Sequence, residues 1–125
     1  MAYTFYHKEE YVLWKTFGES IFHHPQLTND DITRLVTELC RVYEVDTPEI
    51  TFTGRRWCRV LFNQGRIYFG KVDMPFTLVV HEIAHWTRFK KANDGKHSKE
   101  LLSLIIEMIP IAQRYALERL WVIDW

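Results

Sequence analysis

The sequence predicts an α+β domain in which a small, three-stranded, mainly antiparallel meander packs against several helices. Apolar residues recur at helical spacing before residue 45 and after residue 75, and a segment rich in β-branched and aromatic residues lies between them. The 125 residues, 47% of them hydrophobic, are enough for one core and too few for two ordinary domains. We therefore expect a single domain over residues 1–125, with helices in 1–45, strands at about 49–70 and further helices at about 75–121.

Two helices are predicted in the N-terminal part of the chain. Residues 6–21 carry apolar side chains at helical intervals, with charged residues between them. Residues 28–31, Thr-Asn-Asp-Asp, offer N-cap chemistry just before an amphipathic stripe that starts at Ile32. The cap and the stripe together predict a second helix that ends near Tyr43.

Three strands are predicted after Pro48. They cover residues 50–53, 57–62 and 66–69, and an Asn-Gln-Gly turn at residues 63–65 joins the second strand to the third. Side chains alternate along the second strand, so one face of the sheet should pack on the helices. A simple meander places the segment from Arg66 to Gly70 at the sheet edge beside the third helix.

Two more helices are predicted in the C-terminal part of the chain. Pro75 suits the first turn of a third helix, which has a buried apolar stripe around Ile83. Residues 93–95, Asn-Asp-Gly, are typical of a turn. The near-continuous apolar residues between 101 and 109 predict a fourth helix that crosses the core, and Pro110 is expected to kink or divide it.

The third helix carries the sequence His81-Glu82-Ile83-Ala84-His85. Residues four apart lie on one helix face, at roughly 5–6 Å between Cβ atoms, so both imidazoles can bind one cation. Glu82 is turned by about 100° from His81, which puts it beside the metal position and not in it. Buried histidine and glutamate side chains are costly unless a partner satisfies them, and a metal ion would do so. The pattern is typical of a zinc site built for hydrolysis.

A catalytic zinc ion usually has three protein ligands and one open position, so a further donor is expected downstream. His97 is the first candidate, because it follows the turn and opens the fourth helix, where the chain can fold back beside the third. Asp94, Glu100 and Glu107 are the alternatives. Glu100 is the most serious of them, since a helix-borne carboxylate can complete such a site. We expect one zinc ion per chain.

These parts follow the order found in the SprT-like zinc metallopeptidases and related small zincins, including phage-encoded ones, and residues 50–109 resemble that family. Strands lead into the H-E-x-x-H helix, a polar loop follows, and residues 97–101, His-Ser-Lys-Glu-Leu, are similar to the family pattern H-G-x-E-F. Ser98 stands where the family has glycine, and no cysteine-rich zinc ribbon follows. The resemblance implies a zincin-like fold and a zinc ion held by His81, His85 and His97.

The motif and the resemblance together imply a peptidase. Zinc would lower the pKa of its bound water, and Glu82 would take the proton as the hydroxide attacks a peptide carbonyl. Glu82 would then hand the proton to the leaving amine. In related zincins a substrate strand adds to the sheet edge beside the active helix, so the expected partner is a peptide or protein.

A different class of function remains open, which is a binding module without catalysis in which zinc stabilises the fold. Such a module would contact nucleic acid through Arg55, Arg56, Arg59 and Arg66, with Trp57 as a stacking platform. Lysine plus arginine and aspartate plus glutamate both number 16, so no overall charge draws the chain to nucleic acid or to an anionic membrane. We therefore favour a peptide over nucleic acid as the partner.

The sequence predicts a cytoplasmic protein. Its N-terminus has no basic region followed by an apolar run, and no segment approaches the ~20 apolar residues of a membrane span. Cys40 and Cys58 are isolated, which is typical of buried thiols in a reducing compartment. No membrane partner is expected, and no pattern in the chain predicts its oligomeric state.

Overall fold

A computed structural model describes residues 8–18, 27–54, 58–70 and 76–121. These residues form four helices and a three-stranded mixed sheet, which confirms the α+β class. In chain order the elements are α1 (Lys8–Phe17), α2 (Asn29–Val42), β1 (Glu49–Phe52), β2 (Arg59–Leu61), β3 (Arg66–Phe69), α3 (Phe76–Ala92) and α4 (Lys99–Tyr115). A short 3-10 turn, Phe62–Gln64, joins β2 to β3, and one π-helical turn, Ala116–Leu120, follows α4.

The second helix begins where its cap predicts. The Thr28 hydroxyl accepts a hydrogen bond from the Asp31 N–H at 3.1 Å, and the Asp31 carboxylate accepts one from the Thr28 N–H at 3.1 Å. This reciprocal pair satisfies two N–H groups that the first turn of a helix leaves without partners. The predicted stripe is buried, as Ile32, Leu35, Val36, Leu39 and Cys40. The first helix falls within the predicted residues 6–21, and both ends of that range lie outside the described residues.

The sheet has the order β1-β3-β2, so the predicted meander is wrong. β1 pairs with β3 in parallel and β2 pairs with β3 antiparallel, which makes β3 the central strand and not the edge. Ile67 and Phe69 of β3 are fully buried, whereas the side chains of β1 and β2 are partly or fully exposed. The most apolar strand, β3, is thus flanked by another strand on each side.

The turn between β2 and β3 lies where the sequence predicts it. Gly65 ends the 3-10 turn with φ 63°, a left-handed conformation that favours glycine. A Cβ atom at Gly65 would lie 3.9 Å from the Trp86 ring, so the turn also lies against α3. The Trp86 indole N–H donates to the carbonyl oxygen of Asp46 at 2.7 Å, which ties α3 to the segment that precedes β1.

The helix pair α3 and α4 forms the centre of the core. The predicted apolar stripe of α3 is buried, and α4 packs against both α3 and α2. The helix α4 continues through Pro110 to Tyr115. Of the two effects expected of this proline, a kink or a division of the helix, the division is therefore wrong. Pro110 is exposed, and the carbonyl that loses its N–H partner there can be hydrated. Pro75, which was expected in the first turn of α3, lies outside the described residues.

None of the helices in the described ranges combines the length and the apolar character needed to cross a bilayer. The thiol of Cys40 is buried and that of Cys58 partly so, and neither cysteine forms a disulfide. Burial raises the pKa of Cys40 to about 12, so this thiol is neutral at physiological pH.

Candidate metal centre

Two of the predicted metal ligands lie on the buried part of α3. Every residue from Val79 to Thr87 is buried, and the exposed fractions of His81 and His85 are 4% and 6%. Because the two residues are one turn apart, their rings extend from the same helix face, with centroids 4.8 Å apart. The local geometry of one helix therefore sets the relation between these two imidazoles.

The third histidine reaches this pair from the loop between α3 and α4. His97 is exposed and lies two residues before α4 begins at Lys99. The Nε2 atom of His85 is 3.1 Å from that of His81 and 3.2 Å from that of His97. Metal-binding atoms of all three residues lie within 4.8 Å of one another, so the group could hold a metal ion.

The donor set fits a cation better than it fits a hydrogen-bonded cluster. An imidazole Nε2 atom carries either one hydrogen or one lone pair. That of His85 has two close Nε2 neighbours, and it cannot share one hydrogen or one lone pair linearly with both. Zinc–nitrogen bonds of about 2.0–2.1 Å in a tetrahedron separate the ligand atoms by about 3.3–3.4 Å. The two observed separations are close to this value.

Glu82 is buried beside the first of these histidines. Its exposed fraction is 7%, and this burial raises the pKa of its carboxyl group to about 7. The pKa of Cys58 is raised to about 11, mainly by burial and in part by the charge of Glu82. Burial therefore favours the neutral forms of the Glu82 carboxyl group and the Cys58 thiol, and the two groups are close enough to interact electrostatically.

An aromatic side chain from the turn between β2 and β3 contacts the histidine cluster. Phe62 directly follows β2, and its ring meets that of His85 edge to face at a centroid distance of 6.4 Å. The same ring packs on Phe89 at 4.7 Å. A Cβ atom at Gly95 would lie only 2.7 Å from Cε2 of Phe62. The loop that carries His97 can thus approach Phe62 only because residue 95 has no side chain.

The carboxylates that competed with His97 as third ligand are engaged or lie elsewhere. Asp94 pairs with Arg88 at 2.7 Å, and Glu107 accepts a hydrogen bond from the Tyr43 hydroxyl at 3.0 Å. Glu100 is exposed in the first turn of α4. Of these candidates, the structure brings His97 alone to the pair on α3. Ser98, which departs from the family's glycine, caps α4 by accepting a hydrogen bond from the Leu101 N–H at 3.2 Å.

Only two of the four arginines proposed for nucleic-acid contact lie among the described residues. Arg55 and Arg56 lie outside the described residues, as does Trp57. Arg59 is exposed on β2. The Arg66 guanidinium pairs with the Glu49 carboxylate at 2.7 Å across the β1–β3 ladder, which neutralises its charge locally.

A cleft of about 450 Å³ lies where the end of α2, the end of α3 and the start of α4 meet. Its walls include Tyr43, Arg88, Lys91 and Glu107. Neither Glu82 nor any of the three histidines lines it. This cleft is therefore distinct from the histidine cluster.

Comparison with protein-family models, with curated proteins and with solved structures finds no match to this chain. The function of the site must therefore be inferred from the residues that form it. Sequence patterns did not reveal the contacts of Arg88 with Asp94 or of Phe62 with Gly95. For these contacts the sequence offered only the Asn-Asp-Gly pattern, which indicated a turn without indicating what the turn packs against.

Proposed function

We propose that the protein is a zinc-dependent peptidase in which His81, His85 and His97 hold the metal and Glu82 is the general base. The observation that carries this proposal is the convergence of three Nε2 atoms on a helix that also buries a carboxyl group. Three imidazole nitrogens are a donor set that zinc favours, whereas magnesium and calcium prefer oxygen ligands. Three protein ligands also leave one position for a reacting molecule.

When bound, zinc supplies a Lewis acid that acidifies a water molecule and polarises a peptide carbonyl. Glu82 takes a proton from the attacking water and returns it to the nitrogen of the leaving amine. This task needs a group that exchanges its proton near neutral pH, and the buried position of Glu82 meets that need. A cation held by the neighbouring histidines would favour the carboxylate form of Glu82, which is the form that accepts the proton.

The substrate is a peptide in an extended conformation. Among the described strands, β2 has β3 on one side only, and it contacts α3. Phe62, which directly follows β2, lies against His85. A peptide that adds to the open side of β2 would therefore run past the histidines, and it would gain main-chain hydrogen bonds there.

Three variants and the wild type test the proposal. We expect about one zinc ion per wild-type chain by metal analysis, and cleavage of an unfolded, fluorescein-labelled casein. Glu82→Gln should keep the zinc ion and lose at least about 100-fold in turnover, the usual scale of general-base catalysis. His97→Ala should lose the zinc ion and the cleavage together.

Glu100→Gln is the matched control, because it removes an exposed glutamate two residues after Ser98 and should change neither property. Wild-type protein without zinc would contradict the proposal. Zinc-loaded Glu82→Gln protein that cleaves casein at the wild-type rate would contradict the role of Glu82. If chelation unfolds the protein and Glu82→Gln has no effect, the zinc ion stabilises a binding module instead.

A further inference from the structure

The loop at residues 93–98 has to bring His97 to a pair of histidines that belongs to a different element. The α3 backbone fixes His81 and His85 relative to each other. No such regular backbone fixes His97, because it lies between two helices. Metal ligands are usually oriented by neighbouring groups, and loss of such a group typically weakens metal binding by about 10- to 100-fold.

One carboxylate joins this loop to the helix that carries the other two ligands. Oδ2 of Asp94 accepts a hydrogen bond from Nη2 of Arg88 at 2.7 Å. Oδ1 of the same residue accepts one from the N–H of Lys96 at 3.0 Å. Arg88 is three residues after His85 and so lies on the same side of α3, and Lys96 directly precedes His97.

The rest of the loop is tied at both ends. Asn93 leaves α3 with φ 52°, and its N–H donates to the Phe89 carbonyl at 2.9 Å. Ser98 caps α4 at the other end. Between these two points, Asp94 bonds both to the Arg88 side chain on α3 and to the N–H of the residue that directly precedes His97.

We propose that the ion pair of Arg88 with Asp94, here called the loop clamp, is a positioning device that holds His97 against His81 and His85. This inference rests on the proposed metal site. The two side chains of the clamp are 25% and 24% exposed, so solvent screens them less than it screens a fully exposed pair. The clamp also assigns a role to Asp94, a residue that the sequence marks as a possible ligand.

The test compares metal binding in variants of the clamp. Asp94→Ala removes both hydrogen bonds, and we expect its zinc dissociation constant, from competition with a chromophoric chelator, to rise about 10- to 100-fold. Asp94→Asn keeps an acceptor for the Lys96 N–H and should have a smaller effect, and so should Arg88→Lys. The visible spectrum of the cobalt-loaded Asp94→Ala protein should lose the intensity of a four-coordinate site, a change that lower stability alone would not cause.

A matched control comes from α2, where Glu38 pairs with Arg41 on the surface. Glu38→Ala removes an ion pair far along the chain from the loop, and we expect wild-type metal binding. Circular dichroism of the metal-free variants keeps folding separate from positioning. In the metal-free Asp94→Ala protein, the Lys96 amide should exchange its hydrogen faster than in the wild type.

The outcomes separate the two proposals. A folded Asp94→Ala protein with wild-type zinc affinity, cobalt spectrum and Lys96 exchange overturns the loop clamp alone. A wild type that binds zinc and loses affinity with Asp94→Ala, yet cleaves nothing and is unaffected by Glu82→Gln, overturns the peptidase alone. A wild type that takes up neither zinc nor cobalt overturns both.

Discussion

Gly95→Ala should weaken metal binding without touching a ligand. The added Cβ atom would lie 2.7 Å from Cε2 and 3.0 Å from Cζ of Phe62, whereas carbon atoms in ordinary contact are about 3.5–4.0 Å apart. The backbone at Gly95 is not left-handed, so the strain comes from this clash and not from its φ angle. The Phe62 ring already packs on Phe89 at 4.7 Å, so the ring or the loop must move by up to about 1 Å.

Overpacking of this kind typically costs about 1–3 kcal/mol. We expect the melting temperature of the metal-free protein to fall by roughly 3–5 °C per kcal/mol. The zinc dissociation constant should rise at least about tenfold, because the displaced loop carries His97 and a small misplacement of a ligand has a large effect. Chelator competition and thermal unfolding measure the two effects separately.

Gly54→Ala is the control, since an added Cβ atom there meets nothing within 4 Å. A second test replaces the Phe62 ring with a smaller side chain. Adding Phe62→Leu to the Gly95→Ala protein should relieve the clash and restore part of the zinc affinity. Wild-type affinity in Gly95→Ala, or an equal loss in Gly54→Ala, would refute the steric argument. An additive double mutant would show that the ring and residue 95 are not in contact.

Two further predictions concern stability. Burial raises the pKa of Cys40 from 9.0 to about 12, so the folded chain keeps a proton that the unfolded chain releases above pH 9. The free energy of unfolding should therefore fall by up to about 1.4 kcal/mol per pH unit between pH 9 and 12, and urea unfolding of Cys40→Ala should show a shallower slope. Tyr43→Phe removes the hydrogen bond to Glu107 and should cost about 1–2 kcal/mol. Its zinc content should stay at the wild-type value, and a loss of zinc would show that this hydrogen bond supports the metal site.

The features that the sequence predicted well are those set by neighbours in the chain. The Thr28 cap and the apolar stripe of α2 depend on residues within a few positions of one another, and both appear in the structure. The same holds for His81 and His85, since a helix places residues four apart side by side. Local patterns were therefore enough to find the helices and two of the three histidines.

The order of the strands depends on distant contacts and could not be predicted in this way. The three strands were found approximately, yet β1 pairs with β3 across the chain and not with its neighbour β2. The strand with the most completely buried side chains lies at the centre of the sheet, since Ile67 and Phe69 of β3 are fully buried. A helix that continues through Pro110 is a similar case, because only the fold tells whether a proline lies on the exposed side.

The sequence was enough to predict which histidines form the cluster, but not which neighbouring residues hold them in place. His97 could be chosen from the order of a turn and a helix, and the structure brings it to the pair on α3. The role of Asp94 could not be chosen, because a loop carboxylate six residues from Arg88 can point to a metal, to solvent or to that arginine. Only the folded loop decides between these directions, and it favours the arginine.

The composition of α3 itself is an argument for function. The segment that packs most fully into the core contains His81, Glu82 and His85, each less than 8% exposed. Apolar side chains at these positions would fold with less cost, because buried ionisable groups are expensive unless a ligand or partner satisfies them. Proteins commonly keep such residues where activity needs them, at some expense of stability. We therefore expect the metal-free protein to gain stability when Glu82 is replaced by Gln, and urea unfolding in the presence of a chelator would measure that gain.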